Sequence, residues 1–447
     1  MKDKGVDIVF NPKTKSNNVL GGIMGLAVAD ALGVPVEFES RSTLKKNPVV
    51  GMRAYGTYNQ PAGTWSDDTS MTLCLADSLC KGLDYYDIMD NFLRWFDDGE
   101  FTPYGVAFDI GNTTREALIK YKNGNSPLEC GGQGEYDNGN GSLMRILPIS
   151  FYLQSIYGID FQKTDEAFDI IHNVSLLTHG HKRSLMACGI YISVAMMLLG
   201  GMNLETAVDQ GIDEAIGYYE RKDEFKSEVK HFSRLKNKNF KNLPQDEINS
   251  GGYVVSTLEA AIWCLLNTDD YKSCVLKAVN LGDDTDTVGA VAGGLAGIHY
   301  GYESIPEEWT AKIARRDYIE NLCSELYINL TRNSVKKLLS YIPYFESARD
   351  VEYPARDEEL LEFADTFYKT NLISYNYLVV LRSYNLHTMD QIESAIETAD
   401  LELLKAILTG YIRQDRFKWG LWEEYAVREK VFLRILNRFN EILQEIT

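Results

Sequence analysis

Apolar residues recur at helical spacing along most of the chain. Met71, Leu75, Leu79 and Leu83 fall at every fourth position, the interval that lines one face of an α-helix. A longer apolar run, residues 185–201, fits a buried core helix and is a little short for a membrane span. Two further segments, 21–33 and 288–301, interleave Gly and Ala with Met, Leu, Val and Ile. An internal Gly costs a helix about 1 kcal/mol relative to Ala. Several together predict helices enclosed at the centre of the protein, where small side chains let backbones approach.

Polar stretches divide this pattern. Residues 123–142 carry Gly at 124, 131, 132, 134, 139 and 141 and read as irregular. The charged segment 220–252 predicts a solvated helix followed by a loop. Residues 342–356, bracketed by Pro343 and Pro354, read as a linker. Beyond it the chain is helical and aromatic, and its Trp419, Trp422 and Phe432 fit a small core or a partner surface. The expectation is an all-α body over 1–345 and a small helical appendage over 346–447.

Composition narrows the function classes. The 447 residues carry a formal charge of −19, against the basic footprint that broad nucleic-acid binding needs. An anionic small substrate would need cations or backbone N–H groups to receive it. The seven Cys show no CxxC pair, so zinc-ribbon and redox-pair readings fail and reduced thiols are expected. The N-terminal segment lacks the apolar core of a signal peptide, and a cytoplasmic location away from membranes is the expectation.

Chemistry concentrates in two acidic clusters. "SDDT" (66–69) and "GDDTDT" (282–287) each open an apolar helix. A helix N-cap accounts for one oxygen and one acid. Three Asp within four residues exceed that need. Should the two helix starts face each other, Asp67, Asp68, Asp284 and Asp286 with the hydroxyls of Ser66 and Thr287 form an all-oxygen cage. Hard divalent cations favour such a set. Asp30 and Glu37, at the end of the first small-residue segment, are further candidates. Glu37 is either a solvated surface acid or a mobile carboxylate able to reach the cage. Asn140, Gly141 and Ser142 read as backbone donors at a helix start that could cradle phosphate.

The ordered motifs "GLAVADALGVPVE", "TWSDDTSM", "FDIGNTT", "NGNGSLMR", "LTHGH" and "LGDDTDTVGAVAGGLAGIHYG" resemble the ADP-ribosylglycohydrolase family over about residues 18–330. The resemblance implies an orthogonal all-α bundle with a cleft holding two Mg²⁺ or Mn²⁺ ions. It places Ser66, Asp67, Asp68, Asp284, Asp286 and Thr287 as ligands, and Glu37 as the mobile loop acid. Ser66 stands where the family usually has Thr. Asp283 stands where relatives often have Gly, which suggests a supporting or capping place. The resemblance puts His179 near the nucleotide and Asp109 near the distal ribose. Tyr136 is a candidate to stack on adenine, His181 reads as structural, and Arg145 as a cleft or salt-bridge residue.

The implied reaction is hydrolysis of the glycosidic bond between the distal ribose of ADP-ribose and an acceptor on a protein or small molecule. Glu37 or Asp68 would act as base, and a monomer is expected. Competing readings are a non-catalytic ADP-ribose-binding or crystallin-like relative, and a generic two-metal phosphohydrolase. Loss of the acids would favour the former, yet every matching acid is present.

Overall fold

A computed structural model describes residues 18–158, 161, 164–347, 358–414, 422, 425 and 430–445. The described chain is helical, without strands; Gly132–His179 and Gly139–Tyr253 form isolated bridges. It divides into two compact units, Asn18–Ser334 with Tyr368–Asn371, and the described parts of Val335–Phe367 with Leu372–Thr447.

In the larger unit the helices are α1 (Asn18–Gly33), α2 (Arg41–Lys46), α3 (Asp67–Lys81), α4 (Tyr85–Asp98), α5 (Asn112–Lys122), α6 (Pro148–Tyr157) and α7 (Asp165–Leu176). They continue as α8 (Lys182–Leu199), α9 (Leu204–Glu220), α10 (Val254–Leu266), α11 (Tyr271–Val279), α12 (Thr285–Tyr300) and α13 (Glu307–Thr310). The division between units falls within α14 (Arg316–Leu339).

The two small-residue segments are α1 and α12, and they pack antiparallel with backbones in contact. A Cβ added at Gly25 would lie 2.6 Å from the Gly293 carbonyl oxygen, and one at Gly293 would lie 2.4 Å from that of Gly25. At the far end a Cβ on Gly33 would sit 2.3 Å from Asp286 Cα. Glycine therefore presses the end of α1 against the acidic start of α12. The Thr285 hydroxyl donates to the Gly33 carbonyl at 2.8 Å and fixes that junction.

The predicted faces hold with two corrections. Met71, Leu75 and Leu79 are buried on α3, but Leu83 lies past its end at Lys81. The 185–201 run is α8, buried within the body. The run Asn18–Val36, which is α1 with the 3₁₀ turn after it, and α8 are long and apolar enough to cross a membrane, and both are mostly buried here. The charged segment after Glu220 does not continue as a solvated helix. It forms turns and short 3₁₀ pieces pinned by buried Phe225, Phe232, Leu235, Phe240 and Ile248.

The smaller unit contains α15 (Ile342–Ser347), α16 (Glu358–Tyr368), α17 (Tyr377–Ser383), α18 (Met389–Ala395), α19 (Leu401–Gln414) and α20 (Val431–Glu445). The start of the expected linker is thus helical, with Phe345 buried, and 348–357 lie outside the described residues. Phe345, Phe363 and Phe432 pack together with ring centroids 4.9–5.6 Å apart. Phe432 is core. The Trp422 indole donates to the Ile412 carbonyl at 2.8 Å, and Trp419 lies outside the described residues.

Candidate metal centre

The two acidic clusters meet. Thr287 Oγ1 donates to Asp68 Oδ1 at 3.3 Å across 219 positions of sequence. One carboxylate oxygen each from Asp30, Asp68 and Asp286 lies within 4.8 Å of the others, and the same holds for Glu37, Asp109 and Asp286. Asp286 joins the two groups.

The start of α3 is held from outside. Asp30, on α1, accepts hydrogen bonds from the Ser66 amide at 3.0 Å, the Thr69 amide at 3.1 Å and the Thr69 hydroxyl at 2.5 Å. Ser66 Oγ caps the same turn by accepting from the Asp68 amide at 3.3 Å. Asp67 and Asp68 are thereby left out of the capping. At α12 Asp286 Oδ1 accepts from the Thr287 amide at 2.9 Å, and Asp284 Oδ2 accepts from the Asn140 side-chain amide at 2.8 Å.

Within the cluster three buried carboxylate oxygens, Glu37 Oε2, Asp68 Oδ2 and Asp286 Oδ2, have no hydrogen-bond partner among the described residues. Burial, then repulsion from neighbouring acids, pushes the carboxyls of Asp67, Asp68 and Asp286 well above the ordinary range. Burial and Asp109 raise Glu37 to about 9. Burial raises Asp30 to about 7 against the pull of its hydrogen bonds. Unpaired buried carboxylates are costly unless protonated or joined by cations. The donors are all hard oxygens, so the residues present fit divalent cations.

Glu37 is neither solvated nor at a helix end alone. It follows the 3₁₀ turn Val34–Val36 and is buried. Its carbonyl accepts from the Thr57 hydroxyl at 2.7 Å. Asp283 reaches the same segment through its backbone: its amide donates to the Glu39 carbonyl at 2.9 Å, and its carbonyl accepts from the Phe38 amide at 2.7 Å. No side-chain cap forms at the start of α12.

Asn140, Gly141 and Ser142 do not open a helix. They lie in turns, and the next helix begins at Pro148. The Ser142 hydroxyl is buried and accepts from Ser175 Oγ at 2.8 Å. Gly141 makes room for His179: a Cβ there would lie 2.7 Å from His179 Cε1. His179 is buried, and Thr178 Oγ1 sits 2.8 Å from its Nδ1. Arg145 Nη2 donates to the same Thr178 oxygen at 2.8 Å. Thr178 has no other acceptor for its own proton among these bonds, so it donates to Nδ1 and leaves the hydrogen on His179 Nε2. Burial, then Arg145, lowers the His179 pKa to about 3, so the ring is a neutral donor.

Among the described residues Arg145 pairs with no carboxylate. It is fully buried over the Phe92 ring at 4.8 Å, its Nε and Nη1 lack partners, and burial lowers its pKa to about 10. The salt-bridge expectation for Arg145 is therefore corrected. His181 is structural as expected: its Nδ1 accepts from the Arg183 amide at the start of α8. Tyr136 is 96% exposed.

Residues 11–335 match the family model described as ADP-ribosylglycohydrolase. The chain belongs to the ADP-ribosylglycohydrolase family. Residues 330–445 match a family of unknown function, DUF6508. The ADP-ribosylarginine hydrolase Tri1 of Serratia proteamaculans is 34% identical over 71% of this chain and 81% of its own. The ADP-ribosyl-[dinitrogen reductase] glycohydrolase of Rhodospirillum rubrum is 31% identical over 66% of this chain and 90% of its own. A solved ADP-ribosylglycohydrolase-related protein complex superposes with a TM-score of 0.55 at 31% identity, covering 70% of this chain and 98% of that one.

Within this family fold, sequence reasoning missed Tyr58 and Thr69. The Tyr58 hydroxyl donates to Asp109 Oδ1 at 2.5 Å, and burial together with Asp109 and Glu37 holds its proton firmly. Asp109 adopts a left-handed φ of 58°. That unusual backbone was the one local signal available, and only the structure carries it.

Proposed function

We propose that this enzyme hydrolyses the N-glycosidic bond between ADP-ribose and an arginine side chain. The supporting observation is the buried cluster of unpartnered carboxylate oxygens from Glu37, Asp68 and Asp286. The arginine acceptor is taken from the relatives named ADP-ribosylarginine hydrolases, at 34% and 32% identity.

Asp67, Asp68, Asp284 and Asp286, with the Ser66 and Thr287 hydroxyls, would hold two Mg²⁺ or Mn²⁺ ions. Bound there, the ions supply Lewis-acid polarisation of ligand oxygens. With cations neutralising the cluster Glu37 would be ionised, and its Oε2 takes a proton from the attacking water as the water oxygen bonds to C1 of the ribose. The C1–N bond breaks, its electron pair passes to the guanidine nitrogen, and that nitrogen takes up the proton Glu37 removed from the water, which returns Glu37 to its starting state. Tyr58 fixes Asp109 beside the same cluster. His179 offers its Nε2 hydrogen to a ligand oxygen over Gly141.

The test is product analysis on arginine- and serine-linked ADP-ribosyl peptides with Mg²⁺ or Mn²⁺. Free ADP-ribose and unmodified arginine peptide are expected. AMP, or no product from either peptide, would overturn the proposal.

A further inference from the structure

Phe38 and Tyr55 are each 69% exposed, and both have left-handed backbone, with φ of 64° and 59°. A bulky aromatic residue in that region is a genuine outlier and costs about 1 kcal/mol or more. Water contact with a large ring gives nothing back. Two such residues beside one site call for an explanation.

Both are fastened to the acidic cluster. Phe38 directly follows buried Glu37, so the chain passes from cluster to surface in one step. Its amide donates to the carbonyl of Asp283, next to Asp284. The Tyr55 loop lies against the same turn. The Thr57 amide donates to the Pro35 carbonyl at 3.1 Å, and the Thr57 hydroxyl to that of Glu37 at 2.7 Å. A Cβ at Gly56 would fall 1.6 Å from Pro35 O, so the loop backbone presses on the turn directly. One residue further from Thr57, Tyr58 holds Asp109.

Exposed aromatic side chains on segments bonded to an acid-rich site suit a cation, and a guanidinium most of all, since it stacks flat as well as carrying charge. The formal charge of −19 favours a cationic partner too. We infer that Phe38 and Tyr55 form an acceptor subsite that stacks the arginine guanidinium and its flanking peptide above Glu37. The inference rests on the arginine reading above and adds the residues that select that acceptor. In this account the left-handed backbone is retained because it aims the rings outward.

The test uses the full chain with Mn²⁺. Phe38→Ala and Tyr55→Ala should each raise KM for an ADP-ribosylarginine peptide about tenfold, the scale of one cation–π contact. The serine-linked peptide and the affinity for free ADP-ribose should not change. Tyr86→Ala, an exposed aromatic on α4, serves as the control and should alter nothing. Phe38→Gly removes ring and strain together, so its Tm should be unchanged or higher while the KM effect persists. Equal losses on both peptides and on ADP-ribose, no loss at all, or a lowered Tm in Phe38→Gly would overturn the subsite. If the wild type cleaves neither peptide, the proposed function fails separately. Binding of an unmodified arginine peptide to the ADP-ribose-saturated protein then decides: loss in both alanine variants supports the subsite, and equal binding overturns it.

Discussion

Helices α3 and α12 both begin on paired acids, yet the two starts are built differently. At α3 the capping is done by others: Asp30 reaches across from α1 to take two amides and a hydroxyl, and Ser66 Oγ takes a third amide. At α12 the N-cap residue Asp284 makes no side-chain cap, Asp286 Oδ1 takes only the Thr287 amide, and the helix is located by Gly33 against Asp286 and by Thr285 on the Gly33 carbonyl. The outcome is the same. Asp68 Oδ2 and Asp286 Oδ2 are buried and unpartnered at both starts. Acids that merely served their own helices would not be left so.

The largest effect should come from neutralising those acids. Asp68→Asn and Asp286→Asn should each lower kcat by at least about 10²-fold, the scale of removing one group that stabilises developing charge. Stability of the metal-free protein should move the other way, because each variant removes one repelling buried charge. The sign follows from linkage. The cluster carboxyls lie above their ordinary values in the folded chain, so it binds protons that the unfolded chain releases. That stability is complete below about pH 4, the unfolded value, and is lost as pH rises through the raised values, up to about 9 for Glu37. Metal-free Tm should therefore fall from pH 5 to 8, and Mg²⁺ or Mn²⁺ should restore it. A metal-free Tm that rises over this range would refute the reading of the cluster.

The next effect separates caps from ligands. Asp30→Ala leaves two amides and the Thr69 hydroxyl unsatisfied in a buried site and should cost about 3 kcal/mol. Ser66→Ala should cost about 1 kcal/mol as a lost cap. The Asp30 penalty should appear in denaturant melts with and without metal. An Asp30 penalty confined to the metal-loaded protein would make it a ligand instead of a clamp.

This contrast also marks what a reader of the sequence can see. Adjacent acids before an apolar run, and glycines interleaved with Leu and Ile, are local patterns. They predict two enclosed small-residue helices and make 66–69 and 282–287 candidates to share one site, whereas the pairing of α1 with α12 comes from the structure alone. The Asp30 clamp joins residues 36 and 39 positions apart on different helices, and no local pattern encodes it. Asn140–Ser142 looked like a helix start because Asn and Gly precede an apolar run. Tertiary bonds prevailed: the Asn140 amide donates to Asp284, and Ser142 joins Ser175 in the core. Arg145 was misread since a charged residue suggests a charged partner, whereas here Phe92 and Thr178 receive it.

Arg145 gives the smallest and most specific prediction, for a buried cation that acts through a hydroxyl. Its bond to Thr178 orients the hydroxyl that donates to His179 Nδ1 and so keeps the hydrogen on Nε2. Thr178→Val removes that donor with little change of volume. Substrate KM should rise about tenfold, as for a lost partner behind a ligand-contacting group, while kcat stays within about twofold. Nitrogen-15 NMR of the ring should show the hydrogen shifting toward Nδ1, a change that loss of packing alone would not produce. Thr178→Ser should retain both the tautomer and KM. A Val variant with weakened binding and an unchanged tautomer would reduce the Arg145–Thr178 pair to packing, and the acidic cluster would then be the sole polar assembly that contributes to the site.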